Sequence, residues 1–243
     1  MKKFKCLLTA MLLGCSTMSF AQFMNGGGSS SSSSDNTPWK GLRFSYDRTF
    51  VNIDIDDAPS QDMNGFSLGY VQSFSIAKKL PLFFETGAGI NFARYSDSDE
   101  TIYGYTISAE NKWSTTTLGL TIPLNVVYKI NINDKLALKP YTGFYLRVNL
   151  MSKSNDKMEV SIPSEFSQYV DASDYEWDED YNNFDKDDVG EDGTWNRVQF
   201  GWQIGATLDI NKFNVGIGYA LDFNEIAEKT KCGIFSARLG FNF

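Results

Sequence analysis

Alternation with a period of two is the feature that most constrains this chain. Counting back from the C-terminus, Phe243, Phe241, Leu239, Ala237 and Phe235 fall on one side, and Asn242, Gly240, Arg238 and Ser236 on the other. A period of two belongs to a strand with two unlike faces. Seven earlier segments repeat it: GLRFSYDRTF, GFSLGYVQSFSI, LFFETGAGINFAR, TLGLTIPLNVVYKI, LALKPYTGFYLRVNL, RVQFGWQIGATLDI and FNVGIGYALDF. No run of about 18 apolar residues occurs, so no sequence segment predicts a membrane-crossing helix.

Alternation alone suits a soluble sandwich, a lipocalin-like barrel with its large residues inside, or a membrane barrel with them outside. Two further observations favour the last. The faces opposite the large residues are crowded with glycine, serine and threonine as well as charge, which suits the narrow interior of a small closed barrel. The connections also alternate in length. Brief links (AKKLP, NINDK and Asn211-Lys212) follow the second, fourth and sixth segments, whereas long polar ones (about 52–64, 96–112, 151–194 and 224–231) follow the odd-numbered segments. Short turns at one end and long loops at the other predict an all-β fold, an eight-stranded antiparallel up-and-down transmembrane β-barrel, with the short side periplasmic.

The glycine-rich stretches FETGAGINF and FGWQIGATLDI, the LTIPLNVVYKI strand and the terminal ARLGFNF carry a resemblance. The chain resembles the small eight-stranded Gram-negative outer-membrane β-barrel families, the OmpA/OmpX-like and PorT-like group, from about Leu42 to Phe243. The resemblance implies location in the outer membrane of a Gram-negative bacterium, a monomer in contact with outer-membrane lipid and lipopolysaccharide, and recognition by the barrel-assembly machinery. Leu239, Phe241 and Phe243 would form the C-terminal assembly signal. Its motifs specify architecture and say little of activity; the expected function is that of a non-enzymatic barrel with a surface-interaction or envelope-structural role through acidic extracellular loops. The alternative is an OmpW/PorT-like barrel that assists transport of a small hydrophobic molecule or protein secretion.

The N-terminus reads as a secretory signal peptide, residues 1–21: Lys2, Lys3 and Lys5, a short apolar run from Cys6 to Leu13, and a small-x-small site at Ser19 and Ala21. Leu12-Leu13-Gly14-Cys15 offers the competing reading of a lipobox with Cys15 lipidated. Residues 22–38, Gly/Ser-rich and aperiodic, predict a flexible tether, and 39–243 the barrel. Loss of Cys6 and Cys15 with the signal leaves Cys232 alone, so no intrachain disulfide forms.

Charge and residue usage narrow the chemistry. The chain carries a net charge of −8, and removal of the three signal lysines leaves −11. Segment 151–194 has fourteen Asp and Glu against three Lys, also a net of −11, so the barrel and its other loops are neutral overall. This acidity speaks against nucleic-acid binding. The chain has no histidine, which removes the usual base of lipase, deacylase and omptin-like mechanisms. No carboxylate pair stands out by spacing and Cys232 lacks an activating histidine, so no catalytic residue is assigned.

The small-residue faces place Arg43, Asp47, Glu85, Lys139, Arg147, Arg197, Asp209, Asp222 and Arg238 in the barrel interior. They are expected to form a charge network plugging the lumen; a selective pore is the other reading. The acidic segment reads as a solvated loop in which Tyr175, Trp177, Tyr181 and Phe184 are candidate contact residues. Its DKDDVGEDG stretch has a faint look of a calcium loop but departs from the EF-hand pattern at Val189 and Asn196, so no metal or cofactor site is assigned.

Overall fold

The computed structural model describes residues 37–54, 61–77, 80–103, 107–165, 169 and 171–243. The signal-peptide and lipobox readings, and the tether up to Asn36, lie outside the described residues. Ten strands follow: β1 (Lys40–Ile53), β2 (Met63–Ser75), β3 (Leu82–Tyr103), β4 (Ile107–Tyr128), β5 (Ile130–Asn133), β6 (Leu136–Ser161), β7 (Trp177–Asn182), β8 (Val198–Ile210), β9 (Phe213–Asp222) and β10 (Thr230–Asn242).

Eight of them form a ring in the order β4-β3-β2-β1-β10-β9-β8-β6, which a β4–β6 pairing closes. The eight predicted segments map onto these eight staves. All neighbouring staves run antiparallel, and β1 meets β10 from Gly41 opposite Asn242 to Ile53 opposite Thr230. Closure leaves no edge within the ring, so its backbone groups are paired without water. The short β5 only completes the hairpin into β6.

Side chains divide across the wall as the alternation predicts. Leu68, Ile90, Ile217 and Leu239 are more than half exposed on the outer surface, while Ser73, Asn125, Gln199 and Asn214 on the inner surface are almost fully buried. Aromatic pairs gather near both ends of the outer surface: Phe213 with Phe241 (5.3 Å) at the short-turn end, and Phe144 with Phe200 (5.6 Å) and Phe200 with Phe223 (5.4 Å) towards the other. Glycine clears the interior for its few large residues. A Cβ at Gly205 or Gly218 would collide with the Tyr141 hydroxyl.

The long connections differ from expectation in two places. Segment 96–112 is not a loop: β3 continues to Tyr103 and β4 begins at Ile107. Segment 151–194 is largely ordered as well. β6 runs on to Ser161, β7 returns along it, and a helix, α1 (Lys186–Gly193), follows. At 22, 22 and 26 residues, β3, β4 and β6 outreach the other staves, which have 10 to 14. With β7 they build a four-stranded wall beyond the ring.

Two physical reasons hid this wall. It leaves the membrane zone, so neither face needs to be apolar and the hydrophobic alternation fades. In addition, a β-bulge interrupts β6. Leu118 pairs with Met151 and Gly119 with Asn149, leaving Leu150 extra and half exposed. Inward positions on β6 therefore change from odd (Lys139, Tyr145, Arg147, Asn149) to even (Ser152, Ser154).

Candidate functional site

The interior is closed at both ends and hollow between. At the short-turn end the residue before β1, Trp39, turns into the ring. Its backbone N–H donates to Ser73 Oγ (2.7 Å) and its carbonyl accepts from Ser73 N (2.8 Å). The indole Nε1 donates to Glu85 Oε2 (2.8 Å), the ring lies 4.7 Å from that of Phe83, and Lys139 Nζ sits 3.5 Å from its centroid. Phe83, Val127 and Tyr141 complete this buried cluster. The opposite end is filled by Val51, Met63, Ala93, Ile226 and Cys232, with Ile53, Tyr95 and Trp195 packed against them.

Charges occupy the interior between the two caps. Lys139 Nζ lies 2.5 Å from Asp209 Oδ2, and Arg147 Nη2 lies 2.6 Å from Asp222 Oδ2, with all four side chains buried. The Tyr145 hydroxyl donates to the other Asp222 oxygen, and Gln203 Nε2 donates to Asn125 Oδ1 (2.9 Å). Arg43 Nη2 donates to Asn242 Oδ1 (2.9 Å), while Asp47 accepts from the hydroxyls of Ser45 (3.1 Å) and Ser67. Arg238 lies over the Tyr141 ring at 5.3 Å. A cavity of about 190 Å³ is lined by Arg43, Asp47, Glu85, Tyr141, Asn149 and Arg238 among others. The Tyr141 hydroxyl and Asn149 Nδ2 have no partner among the described residues, which suits a hydrated chamber.

Eight of the nine residues assigned to the interior therefore occupy the inner wall. Arg197 does not. It precedes β8, is exposed, donates to the Leu150 carbonyl (3.4 Å) and stacks at 3.9 Å on Phe184. Its odd number matched the inward parity of β8, but parity has no meaning once the strand has ended at Val198.

Among the four loop aromatics, Tyr175 and Trp177 are exposed, at 57% and 44%. Tyr181 is half-buried and its hydroxyl donates to Glu179, while Phe184 lies under the Arg197 guanidinium. In DKDDVGEDG, Asp185 caps α1 by accepting from Asp187 N (3.1 Å), and Asp188 accepts from Asn182 N (2.7 Å). Those two carboxylates thus serve the chain's own backbone.

The wall's basic groups are confined to one face, whereas its acidic groups occupy both. Its outer face carries Lys112, whose Nζ lies 2.6 Å from Glu159 and 3.2 Å from Glu110, and Lys157, 2.8 Å from Glu159 and 3.7 Å from Asp178. Hydrogen bonds from Lys112 and then Lys157 hold the Glu159 carboxyl down to about 2. Sequence reasoning missed Trp39 as a stopper, and it also missed Trp113 on the wall's inner face. Tyr141 and Tyr145 did carry a signal, since each is a large residue on a glycine-lined face.

Comparison with known proteins places the architecture. The profile of the outer membrane protein beta-barrel domain family matches residues 18–228. The chain belongs to that family. Membership and the closed ring make this an outer-membrane β-barrel of a Gram-negative type, with the short turns of the family barrel periplasmic and the wall extracellular. Among solved structures, Ail, the attachment invasion locus protein of Yersinia pestis, is similar at 16% identity over 84% of this chain and 98% of that one, with a TM-score of 0.32. Neisserial surface protein A is 12% identical over 84% and 97% (TM-score 0.39), and the outer membrane enzyme PagL 11% over 83% and 98% (TM-score 0.34). No curated protein sequence matches the chain.

Proposed function

We propose that this protein is a non-enzymatic outer-membrane barrel that acts by surface interaction, presenting the extracellular wall while the barrel itself stays shut. The observation that carries the reading is the double closure of the lumen combined with the ordered extension of β3, β4, β6 and β7. A barrel devoted to conduction has no use for an indole stopper braced by Glu85 and Lys139, and a wall of this length displays side chains well beyond the lipid headgroups. Chemistry in the chain supports a non-catalytic role. Histidine is missing from the sequence, and Cys232 is buried inside an apolar cap, away from any substrate.

Bilayer recording of the purified chain tests the closed state, with no steady conductance expected; a reproducible pore would instead favour the transport role. The interaction role is tested on intact cells by cross-linking capture with the wild type and with a deletion of residues 162–194, which spares β6. Loss of captured partners with a normally assembled barrel is the expected result. Unchanged capture would remove the surface role from this wall.

A further inference from the structure

The inner face of the extracellular wall is built differently from its outer face. Register fixes which side chains share it: Asp97, Trp113, Asp156 and Glu179 stand opposite one another on β3, β4, β6 and β7, and one row on lie Asp99 and Trp177. The Trp113 indole is therefore flanked by Asp97 and Asp156 on the adjacent strands, with Glu179 beyond. Trp113 and Trp177 are 38% and 44% exposed.

Two of these carboxylates are held in place. The Tyr95 hydroxyl donates to Asp97 (3.2 Å) and the Tyr181 hydroxyl to Glu179, and the Tyr95 ring is itself rooted in the apolar cap of the barrel. The wall's cations go elsewhere. Arg94, Lys112, Lys153 and Lys157 alternate to the outer face, and within the wall, residues 95–103, 107–117, 151–161 and 177–182, no described lysine or arginine shares the face of Trp113.

We infer that this face binds a basic polypeptide segment, with a lysine or arginine side chain of the partner seated over Trp113 between Asp97 and Asp156. A cation over an indole face is attracted by the ring, and adjacent carboxylates add Coulombic attraction that this face does not satisfy internally. The site is larger than one ammonium group needs. Asp97 and Asp99 repeat along β3 at about 6.8 Å, the spacing of alternate side chains in an extended chain, and the acidic row crosses four strands. An extended lysine- and arginine-bearing segment matches both dimensions. The inference rests on the surface-interaction reading and supplies its partner chemistry.

The test uses the full chain in phosphatidylcholine nanodiscs and a short fluorescent peptide of alternating lysine and serine, followed by anisotropy at low and high salt. Binding that weakens with salt is expected. Trp113→Ala should weaken it about three- to fivefold and Trp113→Phe less. The combined Asp97→Asn, Asp156→Asn and Glu179→Gln chain should bind about tenfold or more weakly. A control on the outer face, Glu100→Gln with Glu110→Gln and Asp180→Asn, removes equal charge and should leave binding nearly intact. Heat-modifiable gel mobility checks that each variant is folded.

Equal losses from the two triple variants would show general attraction to an acidic protein and overturn the site. So would tighter binding of a sulphated polysaccharide than of the peptide. A folded wild-type chain that ignores the peptide overturns the inference, while the surface role keeps its own measure in capture on intact cells.

Discussion

The interior ion pairs show how a narrow barrel tolerates charge. Arg147 and Asp222 are both buried, and Tyr145 and Arg147 between them take both Asp222 oxygens. Breaking such a pair leaves one charge stranded, whereas removing both leaves an apolar gap that can be refilled. Arg147→Met should therefore destabilise the barrel by about 3–5 kcal/mol. The double variant Arg147→Met/Asp222→Leu should recover a large part of that loss. The midpoint of the folded-to-unfolded gel shift on heating reads both; a double variant no better than the single would mean that packing, not the stranded charge, sets the cost.

Individual elements differ in how far the sequence revealed them. The eight staves were legible because each must turn an apolar face to lipid, and that demand writes itself as alternation in GFSLGYVQSFSI or FNVGIGYALDF. The wall has no such demand, and Leu150 shifts the phase of β6 at the point where the apolar pattern ends. The interior charges were legible from parity, with Arg197 lost where parity ceases to apply. Trp39 was not, because a single residue preceding a strand has no period to belong to.

Cross-strand pairing holds the wall together, and its response to pH follows from Glu159. Its carboxyl titrates near 2 rather than at its ordinary 4.5, so its bonds to Lys112 and Lys157 are fully present above about 4.5 and are lost as pH falls through 2. Lys112→Met should raise the Glu159 value, and Lys112→Met/Lys157→Met should return it to about 4.5, as followed by carbon NMR of the labelled carboxylate. An unchanged value in the double variant would mean that the two lysines do not hold it.

At the scale of the whole molecule, Phe243 joins the last stave of the barrel to the first. Phe243 N donates to the Lys40 carbonyl (3.0 Å), Lys40 Nζ sits 5.7 Å over its ring, and Tyr70 lies 6.3 Å away. Its side chain is exposed on the outer surface with those of Leu239 and Phe241. Deletion of Phe243 should lower the yield of heat-modifiable barrel in the outer membrane several-fold while leaving the secreted, unassembled chain detectable. Full assembly without it would separate the closing contact from the assembly signal.

The wall also rises from one side only. β3, β4 and β6 carry it, while the described ends of β1, β2, β8, β9 and β10 stop near the rim. Its inner face consequently looks across the barrel mouth, and that mouth is the floor of the approach. The protein thus has a compass bearing in the plane of the membrane: a partner that meets Trp113 arrives from over β9 and β10 and settles across the mouth. Rotation of the barrel about the membrane normal, a motion without consequence for a symmetrical stave ring, becomes the variable that decides whether two neighbouring molecules can meet.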